Sequence, residues 1–80
     1  MKAIINIALK SGVLDPQGKA VHHALTSLKF YGVEDVRIGK QIVLQLKGND
    51  TKKAKEEVVR MCEELLANTV IEEYSIEIVA

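Results

Sequence analysis

Asp15, Gln17, Gly18, Arg37, Gly39 and Lys40 are the polar and turn-forming residues whose spacing best suits a site. The first three lie in Ser11-Gly12-Val13-Leu14-Asp15-Pro16-Gln17-Gly18, between an alternating pattern and a helical one. Enzymes place phosphate loops at such a junction, because the free N–H groups of a helix start hold anions. Asp15 opposes that use: its carboxylate stands where a phosphate would sit, and the stretch lacks the Gly-Lys-Ser/Thr ending of a nucleotide loop. Asp15-Pro16 reads better as a helix cap, the carboxylate accepting from unpaired backbone N–H groups and Pro losing no bond at the first helical position. Gly18 inside that first turn costs about 1 kcal/mol relative to Ala, which implies that something approaches its backbone closely. In Val36-Arg37-Ile38-Gly39-Lys40 two cations flank a glycine, an arrangement able to hold a carboxylate or phosphate. A surface arginine beside a hairpin is the plainer reading.

No other residues complete a reactive set. His22 and His23 are neighbours on a predicted helix, about 100° apart, so they cannot chelate one ion together; they read as solvated helix surface. Cys62 falls on an apolar stripe and reads as a small core residue rather than a nucleophile or zinc ligand. No catalytic, cofactor-binding or metal-binding residue is therefore expected in this chain. A small acyl-phosphate hydrolase, which shares the order of elements derived below, would want an arginine in the first loop, and none is there. The loop is expected to serve docking.

The totals narrow the function classes. Eighty residues form one domain, expected over 1–80, whose core supplies little net stability, so oligomerisation is an expected supplement. Net charge is zero but uneven: residues 1–50 hold seven basic and four acidic side chains, residues 51–80 four and seven. The lack of a broad cationic field, with Phe30, Tyr31 and Tyr74 the only aromatics, disfavours nucleic acid as a partner. No apolar run approaches a membrane span, and the strand pattern begins at the first residues, which disfavours a signal peptide. One cysteine fits a reducing compartment, and a cytoplasmic location is expected. In that setting the Asn49-Asp50-Thr51 sequon is a chance match.

The elements that must position these residues follow from periodicity. Lys2 to Leu9 alternates as a strand, with Ile5, Ile7 and Leu9 on one face and Ile4, Asn6 and Ala8 on the other. Asp15 to Tyr31 is predicted helical through Val21, Ala24, Leu25 and Leu28, closed by Gly32. Val33 to Ile38 is predicted as a short strand, Gly39-Lys40 as a two-residue hairpin with Gly39 at positive φ, and Gln41 to Lys47 as the returning strand with Ile42, Leu44 and Leu46 inward. Gly48-Asn49-Asp50 offers the cap of a second helix whose stripe is Ala54, Val58, Met61, Cys62, Leu65 and Leu66. Its outer side carries the pairs Lys52/Glu56, Lys53/Glu57 and Arg60/Glu64, and Asn68 is read as its left-handed cap. Val70 to Val79 is the last strand, with Tyr74, Ile76 and Ile78 on one face. The β-α-β-β-α-β order predicts an α+β, ferredoxin-like domain: a four-stranded antiparallel sheet with both helices on one face. The opposite face mixes Ile4, Ala8, Val43 and Val79 with polar residues and is expected to meet another subunit.

Leu14-Asp15-Pro16-Gln17-Gly18, Ala24-Leu25, Val36-Arg37-Ile38-Gly39-Lys40, Met61-Cys62-Glu63 and Leu65-Leu66-Ala67-Asn68-Thr69-Val70-Ile71-Glu72-Glu73-Tyr74, in this order and spacing, resemble the PurS family. Thr69 stands where that pattern often has proline. The resemblance runs over nearly the whole chain and implies the small subunit of phosphoribosylformylglycinamidine synthase, the ligase of the fourth step of purine biosynthesis. There formylglycinamide ribonucleotide, glutamine and ATP give formylglycinamidine ribonucleotide, glutamate, ADP and phosphate. It further implies a homodimer, or a tetramer, bridging a glutaminase subunit and a large ATP-dependent synthase subunit and aiding ammonia transfer. ATP and Mg would be used by the complex, none being bound by this chain. The family motifs carry over no catalytic residue; they mark as partner-interface residues Asp15, Gln17, Gly18, Arg37, Gly39, Lys40, Asn68, Val70, Glu72 and Tyr74. Arg37→Glu, or a bulky residue at Gly18, is expected to weaken assembly without unfolding the chain. The alternative class is an ACT-like ligand-sensing regulatory module, which shares the order of strands and helices.

Overall fold

A computed structural model describes residues 1–80. The alternating pattern of Lys2–Leu9 forms β1, the middle strand of the sheet. On one side it pairs antiparallel with β2 (Gly39–Gln45), on the other with β3 (Glu72–Val79), giving the order β2-β1-β3. In the register Ile5 stands between Ile42 and Ile76, and Ala3 between Leu44 and Ile78. The period-two faces are as expected: Ala3, Ile5 and Ile7 are buried, with Ile42, Leu44, Leu46, Tyr74, Ile76 and Ile78 packed around them.

The sheet has three strands, not four. Residues 33–38, read as a strand, pair with no other strand, and Gly39-Lys40 is not a turn but the start of β2. Gly39 has no positive φ; it faces Ala8, and a Cβ there would lie 2.7 Å from the carbonyl oxygen of Ile7. The glycine thus serves close strand approach rather than chain reversal.

α1 (Pro16–Ser27) and α2 (Thr51–Met61) are both capped by aspartate, Asp15 accepting from the Gly18 N–H at 2.8 Å and Asp50 from the Lys53 N–H at 3.1 Å. α2 lies against β3 and buries Ala54 and Val58. It then loosens into a π-helical turn over Cys62–Leu66. This wider turn changes the phase of the stripe: Cys62 and Ala67 are buried, whereas Leu65, expected in the core, is 82% exposed. Of the three outer pairs only Arg60 and Glu64 come within ion-pair range, at 3.7 Å. Asn68 is not left-handed; its carboxamide oxygen accepts from the Val70 N–H at 3.2 Å in an Asx turn.

α1 ends earlier than Gly32. Leu28 caps it, and Lys29 takes the left-handed conformation (φ 70°) that the sequence assigned to glycine. Above all, α1 packs on none of the strands. With residues 28–38 returning beside it, α1 projects from the sheet end as an arm, so the second helix expected on the sheet is missing. The molecule measures 49 × 25 × 14 Å.

Candidate functional site

The residues singled out around Asp15 and Arg37 meet where the arm leaves the sheet. Asp15 is buried and its two carboxylate oxygens have separate tasks: Oδ1 accepts from the Gly18 N–H and Oδ2 from the Ile38 N–H, each at 2.8 Å. One side chain therefore caps α1 and fastens the returning segment 23 residues later. The Ile38 N–H first, then that of Gly18, with the Arg37 guanidinium adding, hold the Asp15 carboxyl below the usual carboxylate range. Arg37 reaches back to the β1–α1 loop, donating to the carbonyls of Val13 at 3.0 Å and Lys10 at 3.1 Å, with a longer contact to Leu9. Gly18 is buried, and a Cβ on it would collide with the Val36 carbonyl oxygen. The close approach implied by its place in the sequence is made by the chain itself.

Around this joint lies a cleft of about 260 Å³ whose walls include Asp15, Gln17, Gly39, Lys40 and Glu72. Lys40 Nζ stands 3.8 Å from a Glu72 carboxylate oxygen, and Glu72 also accepts from the Asn68 N–H at 2.7 Å. The β1–α1 loop is tied to the last connection by the Lys10 N–H, which donates to the Ile71 carbonyl at 2.8 Å. Asp15, Gln17, Gly18, Arg37, Gly39, Lys40 and Glu72 thus come together, with Asn68 and Val70 on the adjoining loop. Tyr74 is set apart: its hydroxyl donates to Glu63 in the π turn at 2.7 Å, a bond that pushes the phenol up to about 12.

His22 is a residue the sequence reading passed over. Its Nε2 lies 2.8 Å from the Val33 carbonyl oxygen and braces the arm, while His23 stays exposed. Nothing in the spacing marks the difference, because Val33 contributes only its backbone. Cys62 is fully buried, and burial pushes its thiol up, away from the reactive thiolate. No group of three or more His, Cys, Asp or Glu side chains is placed to hold a metal ion.

A three-stranded α+β module with a pinned, projecting arm and its polar residues engaged in backbone ties is a protein of the assembly class, built to present surfaces. The family model described as PurS, phosphoribosylformylglycinamidine (FGAM) synthase, matches residues 2–80. The chain belongs to the PurS family. It is 49% identical over 77 residues to the PurS subunit of phosphoribosylformylglycinamidine synthase from Bacillus subtilis, covering 96% of this chain and 90% of that one. Its fold is similar to the C2 crystal form of B. subtilis PurS, with a TM-score of 0.88 and 48% identity over 99% and 98% of the two chains. It is also similar to a chain in the structure of PurLQS from Thermotoga maritima, with a TM-score of 0.86 and 38% identity over 95% and 93%.

Proposed function

We propose that this chain is the small bridging subunit of phosphoribosylformylglycinamidine synthase, holding a glutaminase subunit and the large ATP-dependent synthase subunit in register during the fourth step of purine biosynthesis. One observation carries this reading: the likeness, over 95% of the chain, to a chain within the T. maritima PurLQS structure. The joint agrees with it, because its charged groups are engaged in holding the chain's own backbone rather than arranged around a substrate. The chain acts as a homodimer, uses no cofactor of its own, and contributes to the passage of ammonia by positioning its larger partners. Its contacts with them lie around the cleft of Gln17, Gly39, Lys40 and Glu72 and on the neighbouring Asn68–Val70 loop.

Reconstitution tests this. With the glutaminase and synthase subunits present, leaving this chain out is expected to abolish formation of formylglycinamidine ribonucleotide from glutamine and to leave ammonia-supported turnover in place. Undiminished glutamine-dependent activity in its absence refutes the proposal. An ACT-like sensor would need a free cation to hold an amino-acid carboxylate, whereas Arg37 is already occupied by two backbone carbonyls at hydrogen-bond distance. A thermal shift of the isolated chain with any amino acid would favour the sensor instead.

A further inference from the structure

The arm has a place prepared for it, but not on its own sheet. A compact chain of 8.8 kDa exposes about 4,800 Å² and, at 80 residues, has a radius of gyration of about 12 Å. This one exposes 6020 Å² and has a radius of gyration of 16.1 Å. The excess, roughly 1,200 Å² per chain by the same scaling, includes two apolar surfaces. One is the face of α1 and the turn after it, where Val21 is 40%, Leu28 67% and Phe30 56% exposed. The other is the helix side of β2, where Ile42, Leu44 and Leu46 stay only half-buried because α2 covers the β3 side. A helix laid beside α2 would cover the second surface and bury the first.

The joint prevents α1 of the same chain from doing so. Asp15 ties the start of the arm to its return, Arg37 clamps the return to the β1–α1 loop, and Gly18 admits the Val36 backbone so closely that the two segments move as one piece. We infer that two copies exchange arms, α1 of each lying on the helix side of the partner's β2, beside the partner's α2. This rests on the dimer proposed above and specifies its surfaces. Exchange of one identical element is closed by a two-fold axis, since each copy both gives an arm and offers a bare face. Covering the excess on both chains buries roughly 2,400 Å² in total, within the range of permanent homodimers rather than transient contacts.

Two measurements on the full chain test it together. The double variant Val21→Glu/Leu28→Glu alters residues exposed in the single chain, so circular dichroism should be unchanged. Its dimer Kd by sedimentation should rise at least about 100-fold, as expected when unpaired carboxylates must enter an apolar contact. A photo-crosslinking residue at Leu28, in a mixture of isotopically light and heavy protein, should give light–heavy crosslinks to residues 42–46. A wild-type chain that sediments as a monomer at micromolar concentration overturns the dimer and the exchange with it. A wild-type dimer whose Kd the double variant leaves unchanged, or whose Leu28 crosslinks are confined to one chain or fall away from β2, overturns the exchange alone.

Discussion

Asp15 carries two backbone ties on one carboxylate, so its protonation state should be visible in stability. Its folded pKa lies below the ordinary value of 3.8. A depressed carboxylate stabilises the fold fully above its unfolded pKa and loses that contribution as pH falls through the folded pKa. The melting temperature of the wild-type chain should therefore exceed that of Asp15→Asn at neutral pH, by a few degrees, and the gap should close as pH drops below 3.8. A gap that stays constant on acidification would show that the charge is irrelevant. Gly18 makes an opposite kind of demand, for space. Alanine in a helix gains about 1 kcal/mol over glycine, but here its Cβ meets the Val36 carbonyl, and overpacking against backbone costs about 1–3 kcal/mol. Gly18→Ala is expected to destabilise the chain in urea titration, and a net gain would contradict the close joint.

At the scale of elements, each helix departs from its sequence pattern at its C-terminal end. α1 stops at Ser27 and turns on Lys29, a residue with a Cβ held at φ 70°. Left-handed backbone costs a non-glycine residue about 1–2 kcal/mol. Lys29→Gly removes that cost and gives some of it back as added freedom of the unfolded chain. The balance is an expected stabilisation of about 0.5–1 kcal/mol, read as a higher urea midpoint; a lower midpoint would mean that the lysine side chain holds the turn. α2 stops at Met61 because the π turn lets Cys62 and Ala67 reach the core together while Leu65 is turned out. The same turn brings Glu63 to the Tyr74 hydroxyl across the end of β3.

For the molecule as a whole, the core is too small to account for the fold alone. Only nine of 80 residues are buried, and two of these, Asp15 and Gly18, belong to the joint rather than to the apolar cluster. A protein stabilised by a second copy melts at a temperature that depends on concentration, because mass action opposes unfolding. A hundredfold dilution is expected to lower the melting temperature by several degrees and to broaden the transition. Melting unaffected by dilution would show that the single chain supports its own arm.

Local chemistry was enough to place much of this protein. Period-two alternation located β1 to the residue and sorted the inward side chains of all three strands, because one-sided burial leaves no second register. Aspartate before each helix named both caps, since a cap is a contact across three residues. The motifs quoted for PurS also sufficed to identify the family. What the pattern could not hold was the direction of α1. Residues 33–38 have the composition of a strand, yet whether they pair depends on Asp15 reaching Ile38 and on Val36 lying against Gly18, contacts between segments distant along the chain. An amphipathic helix shows only that it has an apolar face. Which sheet covers that face is settled by the rigid joint at its base, and the joint turns it away from its own.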